Sequence, residues 1–96
     1  MIILRIEHTT FDFDAWKTSF DTFAELRQKS HVLRYQVLRP IDNPNYAMIN
    51  LEFESVKDAE SLIAAVQQVW QRAIGTLIKD PQWRIFEVVD TKELQL

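Results

Sequence analysis

The sequence predicts an α+β domain in which a strand, a helix and a strand occur twice in succession. Three observations lead there. Four segments rich in β-branched and aromatic residues alternate apolar with polar side chains, the period-two signature of a half-buried strand. Two longer segments repeat apolar residues at spacings of three and four, the stripe of an amphipathic helix. One Gly (Gly75) and three Pro (Pro40, Pro44 and Pro81) leave no flexible linker, so these elements belong to one domain. That domain is expected over residues 1–90, followed by a polar tail over 91–96.

The first strand runs from Ile2 to His8, with Leu4, Ile6 and His8 on one face and Arg5 and Glu7 on the other. Thr10 or Asp12 then caps a helix, because short polar side chains accept from its free N–H groups, and Asp12 and Asp14 oppose the positive end of its dipole. Phe13, Trp16, Phe20 and Phe23 form its stripe, and the helix is expected from about Asp12 to Lys29. Leu33 to Arg39 alternates again until Pro40 stops it. The stretch Pro40-Ile-Asp-Asn-Pro-Asn45 is a turn, built from residues that fix φ or bond their own backbone. Tyr46 to Phe53 is the third strand, with Ala47, Ile49, Leu51 and Phe53 on one face and Tyr46, Met48, Asn50 and Glu52 on the other. Ser55 opens a second helix, with Asp58 as its capping-box partner. Its stripe is Ala59, Leu62, Ile63, Val66, Trp70 and Ala73, and it ends near Gly75 or one turn later. Trp83 to Val89 is the fourth strand. With right-handed crossovers this order gives a ferredoxin-like βαββαβ fold: a four-stranded antiparallel sheet with two helices on one face.

Composition excludes several classes of function. A chain of 96 residues that is 47% hydrophobic and 26% charged is ordinary globular material, which argues against disorder. A net charge of -3 supplies no basic field for a nucleic acid or an anionic membrane. Without cysteine there is no disulfide framework, thiolate metal site or cysteine nucleophile, and a reducing compartment is expected. No apolar run approaches the ~20 residues of a membrane span, and Arg5 and Glu7 fall too early for a signal peptide, so the expected location is cytoplasmic. With a single Gly, no glycine-rich loop exists to cradle a phosphate.

Two helices cover one face of the sheet only. The open face is expected to present Arg5, Glu7, Met48, Asn50 and Glu52, a mixture of ionisable and apolar groups. Strands two and four do not declare their orientation, because Tyr35/Val37 and Gln36/Leu38 are similarly apolar, as are Ile85/Glu87 and Phe86/Val88. An RNA-binding face would need basic and aromatic residues on strand three, which has no Lys or Arg. Two copies packing sheet to sheet suit the face better, so a homodimer is expected.

The ordered set His8-Thr9, Phe13-Asp-Ala-Trp-Lys17, Phe20-Asp21, Tyr35-x-Val37-x-Arg39, Asp42-Asn-Pro-Asn45 and Glu52-Phe53 resembles the dimeric α/β-barrel superfamily. Within it, the match is to the antibiotic-biosynthesis-monooxygenase-like group, over roughly Ile2 to Val89. The resemblance implies a homodimer with facing sheets and a pocket for a small organic ligand. Active members include monooxygenases that oxidise polycyclic phenols without metal or flavin, and haem-degrading enzymes. The second helix lacks the His on which the haem-degrading branch relies. Trp16, Tyr35, Asn50 and Trp70 are the residue types that line the phenol-oxidising pocket, so they are the ligand-binding candidates. No cofactor is expected.

His8 is the candidate catalytic residue, since an imidazole titrates near neutrality and stands here beside a helix start. The structural alternative is a histidine that fills a strand end. Glu7, with Glu52 or Glu87 across the sheet, is expected near it. A carboxylate there raises its pKa, whereas burial lowers it, and a base at pH 7 needs burial to win. His31, after the first helix, reads as a helix-end residue. No H-x-H or H-E-x-x-H spacing supports a metal. Two functions stay open: a dimer that binds a small apolar or aromatic molecule, and a cofactor-free monooxygenase with His8 as base. A pocket of roughly 300 Å3 or more reached by His8 favours the enzyme, and a filled interior with His8 bonded to backbone favours the binder.

Overall fold

The computed structural model describes residues 1–95. In chain order the elements are β1 (Ile2–Thr10), α1 (Phe13–Asp21), α2 (Ala24–Lys29), β2 (Arg34–Leu38), β3 (Tyr46–Phe53), α3 (Val56–Ala73) and β4 (Ile78–Glu87). The four strands form one antiparallel sheet in the order β2-β3-β1-β4, the ferredoxin-like arrangement. The core lies between this sheet and the helices, where Leu4, Ile6, Ala47, Ile49, Leu51 and Phe53 meet Trp16, Ala59, Leu62 and Ile63.

Caps fall where short polar side chains stand. Asp12 accepts from the Ala15 N–H at 3.1 Å and starts α1. Ser55 accepts from the Asp58 N–H at 3.2 Å and starts α3.

The register settles the two strands that alternation leaves open. On β2, Tyr35 and Val37 lie opposite Leu51 and Ile49 and so face the helices, while Gln36 and Leu38 face away. On β4, Trp83 and Ile85 lie opposite Ile6 and Leu4, and Arg84 and Phe86 lie on the open face. The fourth strand begins at Ile78, five residues before the expected start at Trp83. The pairing shifts between Glu7 and Thr9, so that Asp80 and Pro81 together oppose the single residue His8. This is a β-bulge, with Asp80 at φ 55, and it accommodates a proline inside the strand.

The expected single helix from Asp12 to Lys29 is two helices. The Thr22 and Phe23 N–H groups bond to the Ser19 and Phe20 carbonyls, three residues back, so the turn tightens and the axis breaks. The Thr22 hydroxyl donates to the Ser19 carbonyl at 2.6 Å, and the Arg27 guanidinium donates to the Phe20 carbonyl at 2.8 Å. Side chains thus satisfy what the break exposes. After α2 the Val32 N–H bonds the Arg27 carbonyl and the His31 N–H bonds the Gln28 carbonyl, with His31 at φ 66. This is a Schellman cap, and His31 takes the left-handed position. α3 ends at Ala73, just short of Gly75, whose φ of 89 turns the chain into β4. Residues 88–95 form no strand or helix, and Leu96 of the expected tail lies outside the described residues.

Candidate functional site

His8 and Thr10 occupy the core face of β1 near its end, where the expected pattern of an apolar face gives way to polar groups. His8 is only 1% exposed. It is wedged edge-on against Trp16 of α1, with ring centroids 5.1 Å apart and planes inclined at 71°. The stacking continues from Trp16 to Phe20 at 5.3 Å and from Phe20 to Tyr35 at 5.5 Å. α1 therefore lays one row of rings over the end of the sheet, as the spacings of three and four require.

Beneath this row lies a cavity of about 100 Å3. Ile6, Ile49 and Leu51 wall it from the sheet, Trp16 from α1, and Leu62 and Trp70 from α3. His8 and Arg27 are its ionisable groups. Three of the five sequence candidates, His8, Trp16 and Trp70, thus converge on it. Tyr35 stands at the margin, on the helix side of the edge strand and packed against Phe20. Asn50 lies on the opposite side of the sheet, where its Oδ1 accepts from Arg5 Nε at 2.9 Å.

The carboxylates expected around His8 are elsewhere. Ala47 is its partner on β3, Glu52 pairs with Ile3, and Glu87 pairs with Ile2 at the far end of the strand. Glu7 points to the other face and accepts from the Tyr46 hydroxyl at 2.7 Å. Burial is accordingly the largest influence on the imidazole and lowers its pKa from the usual 6.5, against backbone hydrogen bonds that raise it. Its Nδ1 lies 3.3 Å from the Thr9 carbonyl oxygen. Donation to that carbonyl fixes the proton on Nδ1 and leaves Nε2 as an acceptor. His8 thus both reaches the cavity and bonds backbone, and the cavity falls short of the roughly 300 Å3 that small-molecule pockets usually offer.

Sequence reasoning missed Arg27. The signal was its position four residues after Phe23, on the same aromatic stripe, where an apolar residue is expected. It is buried, with its guanidinium carbon 3.9 Å from the Phe20 ring centre and 4.8 Å from that of Tyr35.

The open face holds a second depression of about 270 Å3 over Arg5, Glu7, Gln82, Arg84 and Phe86. Arg34 pairs with Glu52 on the same face. Burial, followed by the bond to Glu7 and its charge, pushes the Tyr46 phenol up to about 12. Among the described residues no group of three or more His, Asp or Glu is placed to hold a metal ion, and no helix is long and apolar enough to cross a membrane.

No protein-family model matches the chain, and no curated protein matches it. Solved structures do. A Deinococcus radiodurans protein provisionally named an antibiotic biosynthesis monooxygenase superposes with a TM-score of 0.79 over 99% of both chains, at 16% identity. SnoaB, a cofactor-independent oxygenase from Streptomyces nogalater, gives 0.77 over 94% of both chains at 14% identity. This is the fold of the antibiotic-biosynthesis-monooxygenase-like proteins. A third structure of that fold, a point mutant of MhuD with two manganese protoporphyrin IX molecules per active site, gives 0.75 over 97% of this chain and 99% of its own, at 15% identity. The resemblance carried by the Trp16 helix start and the Asp42–Asn45 turn therefore agrees with the architecture. At such identities the likeness concerns the backbone, and the chemistry rests on this chain's own cavity. Its α3 carries no histidine.

Proposed function

We propose that this chain is a homodimer, paired through its open sheet faces, that binds one small apolar or aromatic molecule per subunit. The observation that supports it is the cavity under the aromatic row, apolar on nearly every wall and reached by the buried His8 imidazole. A cavity of about 100 Å3 is of the order that holds a single ring, since an engineered apolar cavity of roughly 150 Å3 takes benzene. A single-ringed ligand suits this volume best.

Support for the dimer comes from the open face. Leu38, Met48 and Phe86 lie there among Arg5, Glu7 and Asn50, too apolar for a fully solvated surface. Trp16 and Trp70 shape the pocket, with Tyr35 behind Phe20, while Asn50 belongs to the interface side. The unit that folds is residues 1–90, with 91–96 as a tail, and the cysteine-free chain suits the cytoplasm.

A catalytic variant of this reading makes His8 the base of a cofactor-free oxygenase. The observation in its favour is the lowered pKa, which keeps the imidazole neutral at pH 7 with Nε2 free to accept a phenolic proton. Sedimentation at micromolar concentration tests the dimer, and a clean monomer of 11.4 kDa sinks it. Titration of tryptophan fluorescence with toluene, phenol and catechol tests the pocket. Binding should weaken at least about tenfold in His8→Ala, about 1.4 kcal/mol. Oxygen uptake with phenols that vanishes in His8→Ala supports the enzyme. Binding without turnover supports the binder.

A further inference from the structure

Arg27 is a buried cation without a counter-ion. It is 6% exposed, and its guanidinium lies over Phe20 and Tyr35 at 3.9 and 4.8 Å. One nitrogen, Nη1, donates to the Phe20 carbonyl at 2.8 Å, while Nε is buried with no partner. Among the described residues no carboxylate pairs with it. A guanidinium keeps its proton at any working pH, so this charge persists in the folded chain. Ring faces and one carbonyl lessen the cost of burying it, and an anion would remove the rest. Arg27 also lines the cavity, whose other walls are apolar apart from His8 and Ser19.

On the ligand-binding reading above, we propose that the cavity takes a small aromatic acid, its carboxylate held by Arg27 and its ring by Trp16 and Trp70. The pairing is a charge-assisted hydrogen bond, roughly twice as strong as a neutral one, set among largely apolar walls. Arg27 is then a specificity residue: it selects the anion over its neutral isostere, while the rings supply the general affinity for a flat molecule.

The test uses benzoate, benzamide and toluene at pH 7, read by tryptophan fluorescence on the whole chain. Wild type should bind benzoate at least about tenfold more tightly than benzamide. In Arg27→Met the two should come within about twofold, and Arg27→Lys should keep part of the preference. Circular dichroism checks that each variant is folded. If Arg27→Met does not fold, wild type still decides: the benzoate preference must hold at pH 7 and fade as acidification neutralises benzoate. Equal affinity for benzoate and benzamide in wild type overturns the proposal and leaves the cavity reading intact. So does a preference undiminished in folded Arg27→Met. Failure of all three probes to bind overturns both.

Discussion

Truncation of Leu62 to alanine probes the cavity directly. The side chain is 2% exposed and belongs to the cavity wall contributed by α3. Three carbons leave, at ~0.8 kcal/mol each, so the transfer cost alone is about 2.4 kcal/mol. The new void does not stand by itself but merges with the existing 100 Å3. Its opposite wall is β1 and β3, the interior strands, hydrogen-bonded on both sides and unable to sink inward. Little of the void can close, so the cavity contribution stays nearly whole. The total should reach about 4 kcal/mol, in the upper half of the ~2–5 range for buried leucines. A domain of this length holds roughly 5–14 kcal/mol, so the variant still folds. The urea midpoint should fall by about 2–3 M at an unchanged slope. Benzene at tenfold its dissociation constant should restore about 1.4 kcal/mol. A loss at or below about 2 kcal/mol, with no response to benzene, would refute the reasoning, because the wall would have collapsed and no cavity would remain.

His8 and Tyr46 give two further measurements. Burial lowers the His8 pKa in the folded state, so the unfolded chain binds more protons as pH falls from about 6.5. The stability contributed by neutral His8 is complete above that pH and is lost progressively down to the folded-state pKa. Urea melts at pH 7.5 and 5 should therefore show a smaller acid loss for His8→Gln than for wild type, and parallel losses contradict the assignment. Replacing Glu7 by Gln removes the charge and leaves only a weaker, neutral acceptor for the Tyr46 phenol, so its ultraviolet titration should move down from about 12. An unmoved titration leaves burial as the whole cause.

Much of the fold was legible because alternation and helical stripes report directly which side chains meet the core. Leu4, Ile6, Ala47, Ile49, Leu51 and Phe53 needed only a period of two, and Ala59, Leu62 and Ile63 a period of three to four. The broken first helix was not legible, since Thr22 and Phe23 are acceptable helix residues. The break is held by tertiary bonds, above all Arg27 reaching back to Phe20. Half of the site was legible for a related reason. Trp16 and Trp70 lie on core stripes that pass the cavity, and His8 shares a parity with Leu4 and Ile6. Asn50 shares its parity with Met48 and Glu52, so its own strand already placed it on the far face, away from His8. Tyr35 had no such signal, because both faces of β2 are half apolar. Arg27 was hidden by its type: a charge on an apolar stripe reads as a flaw in the pattern until its burial is seen.

The bulge opposite His8 constrains how this chain can change in length. Ile78 is an even-numbered core residue, while Trp83 and Ile85, further along β4, face the helices at odd numbers. The extra residue at Asp80–Pro81 is what reconciles the two phases. Loss of one residue there would restore a regular ladder in which Ile78 still pairs with Thr10 and Trp83 with Ile6, so every other side chain would keep its face. Loss of a second residue would interchange faces: either Arg84 and Phe86 would turn toward Ile6 and Leu4, or Ile78 would turn out to solvent. Relatives with this core should therefore differ in this stretch by the one bulge residue or not at all.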